Sequence, residues 1–352
     1  MLGCDGFEVF WVAPKDDYTS RLEEAGHFLP WNLDRKGVNP WVELATFTRL
    51  LRLSQEKKPD LLLTWTPKPN IYGALVGRVL AVPAVPNVSG LGSVFIKKNL
   101  LTRIVKHAYK ISFARCPRVF FQNSEDLEYF SKNSMINREL SRLLPGSGVD
   151  LKRFLPLPPR KADDFLFLFA GRLLGEKGIR ELVEAIRRLK QKHPQVRLRI
   201  IGFLDEGNPS GIGREEFASW LSEGLVEFPG ATDDIVKWLK DADCIVLPSY
   251  REGIPRILLE ASACERPVIT TDVPGCRDAI VDNETGFLCK PRDVDSLAET
   301  MNRMLQLSPS ERSSMGRSGR SFMIQGFSEE RVFEGYREIL QKLFTPKRDP
   351  DE

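Results

Sequence analysis

The fold class is decided by the stretch Asp164-Phe165-Leu166-Phe167-Leu168-Phe169-Ala170, which runs into the turn Gly171-Arg172-Leu173-Leu174-Gly175-Glu176-Lys177-Gly178. The run up to Ala170 is nearly all apolar, as is typical of a strand buried on both faces of a parallel sheet. A helical pattern follows over residues 178–192. A buried strand that passes through a short turn into a helix predicts an α/β fold.

The same alternation extends from this stretch in both directions along the chain. Strands are predicted at residues 7–13, 28–32, 60–65, 85–88, 119–122, 196–201, 225–228, 244–247 and 267–270. Helices are predicted at residues 17–26, 40–56, 71–80, 99–115, 213–223, 232–241 and 254–264, with a mostly helical tail from 293 to 344. The proline-rich residues 155–160 separate two such series and are expected to form an extended linker.

Composition limits the function classes. The chain has 352 residues, with 51 Lys and Arg against 48 Asp and Glu, and the net charge of +3 does not favour nucleic acid as a partner. The length suggests two domains, with three as the alternative. The sequence contains no uninterrupted apolar run of about 18 residues, so no membrane span is predicted. No signal peptide is visible at the start. The six cysteines form no Cys-x-x-Cys pair, which favours free thiols in a reducing cytoplasm over zinc ligands.

The turn after the strand 164–170 has features of an anion site. Its glycines allow a close backbone approach, and the next helix directs free N–H groups at this turn. Arg172 and Lys177 add positive charge, so the turn suits a diphosphate. It matches neither the dinucleotide fingerprint nor the P-loop sequence. An ordinary strand-to-helix turn with two solvated cations is the alternative interpretation.

Two glutamates lie eight residues apart after the predicted strand 244–247. Glu252 falls on the loop and Glu260 inside the next helix, which Gly253 and Pro255 are expected to open. A carboxylate can accept hydrogen bonds from two neighbouring sugar hydroxyls. A solvated loop carboxylate remains the alternative for Glu252. The strand end at 225–228 could face a nucleobase edge, or it could be a plain strand–turn–helix junction.

Residues 61–124 contain no Asp or Glu. Their basic residues include Arg103, Lys106 and Lys110, which alternate with apolar residues in the predicted helix 99–115, and Lys97 and Lys98, which directly precede it. A basic amphipathic helix is typical of a surface that binds anionic membranes or anionic ligands. A solvated basic face is the alternative, and RNA binding lacks a supporting motif. The two Asp-x-Asp strings fall at helix ends, where Asp293 is predicted to cap a helix and not to bind a metal.

Taken together, the motifs resemble family 4 of the retaining glycosyltransferases. The matching strings are Gly171-Arg172 with Lys177-Gly178, Glu252 to Glu260 (the family's E-x7-E), 226–230, 272–275, 283–287 and 145–150. In the first half, residues 34–37, 67–73 and 89–92 resemble a bacterial subgroup. Members of that subgroup add sugars to polyprenyl-diphosphate-linked acceptors during capsule, exopolysaccharide or O-antigen assembly.

This resemblance implies a GT-B fold of two Rossmann-like domains that face each other across a cleft. Residues 1–155 would form the acceptor-binding domain, 160–325 the nucleotide-sugar domain, and 326–352 a helix packing back towards the first domain. Residues 7–13 match what is usually the second strand. The first strand–helix unit is therefore expected to be missing, which would leave the N-terminal sheet without a central strand.

The resemblance also implies roles for individual residues. Arg172 and Lys177 would hold the donor diphosphate, Glu252 would lie near the donor sugar, and Glu260 would hold the ribose hydroxyls. The remaining donor contacts would come from Gly171, Gly253, Ile254 and Pro255, with Val226 and Phe228 bordering the base. No metal or other cofactor is expected.

The expected activity is transfer of a hexose or N-acetylhexosamine from a nucleotide sugar, with UDP favoured over GDP, to a lipid-linked acceptor. The enzyme is expected to be cytoplasmic and peripheral on the inner face of the plasma membrane. Two alternatives stay open: a nucleotide-sugar 2-epimerase of the same fold, and a truncated, inactive subunit that binds the donor.

Overall fold

The computed structural model describes residues 6–16, 18–34, 37, 39–91, 100–205 and 207–344. By its contacts the chain separates into two compact units. The first unit comprises Met1–Val88, Gly92–Phe120 and Phe130–Ser141. The second comprises Ser89–Leu91, Phe121–Tyr129 and Arg142–Glu352, so it takes two short segments from the first half of the chain.

The first half alternates between strands and helices, as predicted. Its strands are β1 (Phe10–Ala13), β2 (His27–Pro30), β3 (Leu62–Trp65), β4 (Ala84–Val88), β5 (Val119–Phe121) and β6 (Ser141–Leu143). Its helices are α1 (Thr19–Glu24), α2 (Pro40–Lys57), α3 (Pro67–Leu80), α4 (Leu100–Phe113) and α5 (Ser124–Lys132). The described strands form two sheets, a parallel pair β1-β2 and a sheet in the order β3-β4-β5-β6. The expected loss of a central strand stays a prediction.

Proline and asparagine set the helix starts in this half. Asn39 caps α2 by accepting a 3.0 Å hydrogen bond from the Trp41 N–H, and Pro40 occupies the first turn. Helix α3 begins at Pro67, four residues before the predicted start, because proline is well tolerated in a first helical turn. A small core of Trp31, Leu50 and Val76 lies beneath these helices.

The second half contains a larger parallel sheet. Its strands are β7 (Phe165–Ala170), β8 (Val196–Ile201), β9 (Glu227–Gly230), β10 (Cys244–Leu247), β11 (Val268–Thr271) and β12 (Gly286–Cys289). Its helices are α6 (Ile179–Lys192), α7 (Arg214–Ser222), α8 (Val236–Asp241), α9 (Arg256–Ala263), α10 (Val294–Gln306), α11 (Pro309–Gly326) and α12 (Glu329–Phe344). The strand order is β12-β11-β10-β7-β8-β9, with every neighbouring pair parallel.

Strand β7 is the centre of this sheet, as its apolar sequence predicts. Phe167, Leu168 and Phe169 are completely buried, and the rings of Phe165 and Phe167 pack with centroids 4.8 Å apart. The predicted fold class, α/β with parallel sheets, is confirmed.

The proline-rich residues 155–160 lie in the second unit. The Leu157 N–H donates to the Cys264 carbonyl at 3.2 Å, and the Arg266 guanidinium donates to the carbonyls of Leu157 and Pro158. These bonds tie the stretch to the second unit, whose longest segment begins at Arg142. The predicted domain bounds of 1–155, 160–325 and 326–352 stay predictions.

The chain's last described helix, α12, forms an ion pair through Glu338 with Arg142, a residue of its own unit. Residues 345–352 lie outside the described ranges, and the expected packing of 326–352 on the N-terminal domain stays a prediction. None of the helices in the described ranges combines the length and the apolar character that a membrane crossing needs.

Candidate functional site

The candidate site lies at the carboxyl edge of the second sheet, where its strand order reverses. The chain proceeds outward from β7 through β8 to β9, and then returns to place β10 on the other side of β7. Ligands of open α/β sheets bind at such a switch point, outside the carboxyl ends of the strands. The topology therefore brings together the turn after β7 and the loop after β10, which carry Arg172, Lys177 and Glu252.

Gly178 is the residue that lets these two segments touch. It precedes α6 with φ at +69°, a left-handed conformation that favours glycine. A Cβ at this position would lie 2.1 Å from the Pro248 carbonyl oxygen of the β10 loop. Next to it, the Tyr250 N–H donates to the Glu176 carbonyl at 2.9 Å. The sequence thus joins the two segments through main-chain contacts.

Lys177 and Glu252 form an ion pair at this junction. Their side chains are only 20 % and 13 % exposed, so two opposite charges are held together largely out of water. A pair of this kind is stable only while both partners are present. Arg172, Lys177 and Glu252 are the three residues predicted to be catalytic, and the structure brings two of them, Lys177 and Glu252, together.

Arg172, the third of these residues, belongs to a different contact. Its side chain is 50 % exposed, and its Nη1 lies 3.5 Å from Oδ2 of Asp205, in the loop after β8. The Asp205 carboxylate in turn accepts a 3.2 Å hydrogen bond from the Asn208 amide. The guanidinium is thus loosely oriented by an acid and still accessible to a ligand. Gly171, just before it, donates its N–H to the Ile201 carbonyl at 2.9 Å.

The loop from Glu252 to Pro255 is well packed. Gly253, Ile254 and Pro255 are buried, and the Glu252 N–H donates to the Pro274 carbonyl at 3.2 Å. Helix α9 begins at Arg256 with Pro255 as its N-cap, so the predicted start at residue 254 is two residues early. The three residues after Glu252 thus form a fixed main-chain segment at the sheet edge.

Glu260 lies inside α9 with its side chain 13 % exposed. Burial raises the pKa of this carboxyl above the usual value, and the nearby Arg256 and Arg153 partly oppose the shift. Arg256 Nη2 lies 3.2 Å from Glu260 Oε1. A buried carboxylate with one exposed partner has remaining acceptor positions for a ligand's hydroxyl groups.

Val226 and Phe228 lie in and beside β9, which begins two residues later than predicted. Val226 is 7 % exposed within the core, and the Phe228 ring packs edge-on against Phe217 at 4.7 Å. Both side chains therefore serve packing, so these positions would border a ligand through their main chain.

The basic helix α4 belongs to the first unit. Arg103 and Lys110 are exposed, whereas Lys106 is half-buried and donates to the Asn133 side chain at 2.8 Å. The apolar side chains of Leu100, Ile104 and Ile111 are 71 %, 57 % and 42 % exposed on the same helix. Lys97 and Lys98 lie outside the described residues.

Acidic and amide residues after other strands were missed by the sequence analysis. Asp205 follows β8, and Asn123 and Asp126 follow β5. The usable signal was their position, because polar residues directly after a strand of a parallel sheet collect at its carboxyl edge.

In the described ranges no group of His, Cys, Asp and Glu is arranged to hold a metal ion. Asp293 caps α10 by accepting from the Ser296 N–H at 2.9 Å, as predicted.

Sequence comparisons identify related proteins. The family described as Glycosyl transferases group 1 matches residues 156–322, and the one described as Glycosyl transferase 4-like matches residues 3–123. The N,N'-diacetylbacillosaminyl-diphospho-undecaprenol alpha-1,3-N-acetylgalactosaminyltransferase of Campylobacter jejuni is 31% identical, over 85% of this chain and 82% of that protein. The capsular polysaccharide biosynthesis glycosyltransferase CapM of Staphylococcus aureus is 25% identical, over 88% and 83%.

Solved structures share the fold. A glycosyltransferase from Rickettsia africae superposes with a TM-score of 0.79 at 19% identity, over 98% of this chain and 93% of that one. HepE from Anabaena, solved in complex with UDP and glucose, gives a TM-score of 0.79 at 18% identity, over 94% and 91%.

Proposed function

Since the chain belongs to the group 1 glycosyltransferases, we propose that it is a retaining enzyme that transfers a hexose or N-acetylhexosamine from a UDP-linked sugar. The proposed acceptor is a polyprenyl-diphosphate-linked saccharide used in cell-surface polysaccharide synthesis. The Campylobacter relative, whose name specifies a diphospho-undecaprenol acceptor and an N-acetylgalactosamine donor sugar, supports the acceptor class and an N-acetylhexosamine. UDP in the HepE structure supports the nucleotide. The observation that carries the proposal is the pairing of Lys177 with Glu252 at the switch point of the second sheet.

Arg172 and Lys177 are the proposed diphosphate ligands. Transfer breaks the bond between the sugar's anomeric carbon and a diphosphate oxygen, on which negative charge grows. It forms a bond from the same carbon to an acceptor hydroxyl oxygen, whose proton passes to the departing diphosphate. Cations already in place stabilise that charge without reorganisation. Arg172 presents an accessible guanidinium, and Lys177 is held in place by Glu252. In this proposal the two side chains neutralise the leaving group without a metal.

The remaining proposed roles follow from the packing. Glu252 meets the donor sugar as Lys177 turns to the phosphates, and Glu260 accepts hydrogen bonds from the ribose hydroxyls. The N–H groups of Gly253 and Ile254 are offered to the phosphates and the sugar. Gly171, whose N–H is held by Ile201, and Pro255, which has no N–H, can offer their carbonyl oxygens to sugar hydroxyls. Val226 and Phe228 border the base through their main chain. These are the positions at which the donor would be oriented for attack by the acceptor.

Helix α4 is the proposed membrane-facing surface, on the cytoplasmic side. Its exposed cations Arg103 and Lys110 lie beside exposed apolar side chains, as in helices that rest at a membrane surface. Lys97, Lys98 and Lys106 belong to the same basic stretch of sequence. Each basic residue near an anionic leaflet contributes about 1 kcal/mol. The enzyme would thus reach a lipid-linked acceptor from the leaflet surface.

The test is sugar transfer from UDP-sugars to extracted polyprenyl-diphosphate-linked saccharide. Arg172→Ala and Lys177→Ala are each expected to lower kcat by roughly 10²–10³-fold, the usual loss for one preorganised contact to developing charge. Arg317→Ala, on the exposed face of α11, is the control. Unchanged rates in the first two variants would refute the proposal. Conversion of the UDP-sugar in the absence of acceptor would show an epimerase instead.

A further inference from the structure

Residues 121–129 belong to the second unit although they come from the first half of the chain. They include Asn123 and the first turn of α5, and the Asp126 N–H donates to the Asn123 side-chain oxygen at 2.8 Å. Both side chains are buried, at 2 % and 0 % exposure. The segment therefore brings a fixed pair of polar groups to the second unit.

Asp126 is matched by one charged partner. Its carboxylate forms an ion pair with Arg251, whose side chain is 29 % exposed, and accepts a 3.1 Å hydrogen bond from the Asn123 amide. Burial raises the pKa of Asp126, while Arg251 and Asn123 act in the opposite direction. A carboxylate so deeply buried is tolerated only with such partners. Arg251 directly precedes Glu252, so the pair fixes the loop one residue from the site.

Asn123 holds the next peptide groups. Its amide nitrogen lies 3.4 Å from the carbonyl oxygens of both Glu252 and Gly253. Gly253 is so tightly enclosed that a Cβ there would lie 2.2 Å from the Ser89 carbonyl oxygen. The main chain that bears Glu252 is therefore confined by residues from outside its own loop.

We infer that Asn123 and Asp126 are positioning residues for Glu252. By fixing the main chain at residues 251–253, they aim the Glu252 carboxylate at Lys177 and at the donor sugar. Neither side chain touches the donor in this arrangement. The inference rests on the proposed function, because it assigns these residues an effect on transfer that acts through Glu252.

The test is a double-mutant cycle on the full chain, with UDP-sugar turnover as the readout. Asp126→Asn keeps the shape and removes the charge that holds Arg251. It is expected to lower kcat by roughly 10–100-fold, as displacement of a catalytic group does, with little change in the donor KM. In the Glu252→Gln background the same substitution is expected to lower kcat several-fold less than in the wild type, because its main target is already lost and only the effect on the Gly253 main chain remains. Asn123→Ala should behave in the same way.

The matched control is Glu125→Gln. Glu125 is in the same turn of α5, is 48 % exposed, and pairs with Arg277 and not with the Glu252 loop. Its kcat should equal that of the wild type. Thermal unfolding and UDP binding accompany each variant, and if Asp126→Asn does not fold, Asn123→Ala decides the matter.

Losses in kcat that multiply between Asp126→Asn and Glu252→Gln would overturn the inference, since they would show independent effects. Equal loss of UDP binding and kcat would also overturn it, because that pattern marks a purely structural role. An inactive wild-type chain would refute the proposed function, and this inference with it, so the two failures are distinguishable.

Discussion

Lys177 and Glu252 illustrate how charge is arranged at this site before any ligand is present. Each neutralises the other in a largely buried position. An arriving diphosphate would attract Lys177 and free Glu252 to accept hydrogen bonds from the donor sugar. In the proposed mechanism, the pair therefore gives each side chain a partner of opposite charge until the donor arrives.

This ion pair predicts that loss of one partner lowers the free energy of unfolding more than loss of both. Lys177→Met leaves Glu252 buried without its partner and should lower the free energy of unfolding by about 2–4 kcal/mol. Adding Glu252→Gln to that variant should recover much of the loss, because the unpaired charge is removed. Urea denaturation of the two variants and the wild type measures this. A double variant less stable than Lys177→Met would contradict the interpretation of the ion pair.

Glu260 predicts a pH dependence of donor binding. Burial raises the pKa of Glu260 above 4.5, the pKa of an ordinary glutamate. During acidification its carboxylate therefore becomes protonated earlier than that of an exposed glutamate. A protonated carboxyl accepts fewer hydrogen bonds from the ribose hydroxyls. When the pH is lowered from neutral, the affinity for a UDP-sugar, measured by calorimetry, should therefore begin to weaken before the pH has fallen to 4.5.

The control for this prediction is Glu260→Gln, which should bind the UDP-sugar more weakly and lose this acid limb. The variant should also be more stable than the wild type at neutral pH, because burial disfavours the ionised form. That stability difference should shrink as the pH falls and Glu260 becomes protonated in the folded state. An acid limb of equal size in the variant would assign the effect to another group.

At the scale of elements, the start of α6 determines whether the two site segments can meet. Gly178→Ala would place a Cβ in a left-handed conformation and against the Pro248 carbonyl. The expected loss of unfolding free energy is about 2–4 kcal/mol, from backbone strain and steric overlap together. Gly326→Ala is the control, since a Cβ there meets nothing within 4 Å. Similar unfolding curves for the two variants would exclude a special role for Gly178.

Helix α4 gives a prediction for membrane binding. Neutralising two exposed cations in Arg103→Gln/Lys110→Gln should weaken binding to anionic vesicles by about 2 kcal/mol, or about 30-fold. Lys237→Gln/Lys240→Gln removes the same charge from the exposed side of α8 in the second unit. Co-sedimentation with vesicles compares the two. Equal losses would mean that net charge, and not this helix, governs binding.

At the scale of the whole molecule, the sequence predicted buried strands best. The bounds of β8 and β10 agree with prediction. Strand β10 is a short, fully buried apolar run, and β8 alternates buried apolar residues with Arg197 and Arg199, as strands of period two do. Strands β6 and β12 and helix α5 were missed. They are short, and β6 and α5 are largely polar, so their form depends on neighbours and not on local pattern.

The sequence predicted which residues follow the strands, and the structure brings Lys177 and Glu252 together, while the roles of the site residues stay predictions. Arg172, Lys177, Glu252 and Glu260 follow from what comes after each strand. Asp205 and Asp126 also follow strands, but their contacts with Arg172 and Arg251 could not be predicted, because no periodicity links residues from distant parts of the chain. Sequence patterns identify which side chains reach a sheet edge, whereas the pairing between loops depends on tertiary packing.

The insertion of residues 121–129 into the second unit has a practical consequence for engineering. A chimera with a single junction at the proline-rich stretch would take Asp126 from one parent and the loop bearing Arg251 from the other. The loop would then pack against a segment 121–129 that did not come from its own protein. An exchange of donor preference between relatives would therefore require residues 121–129 to come from the same parent as the loops that they contact.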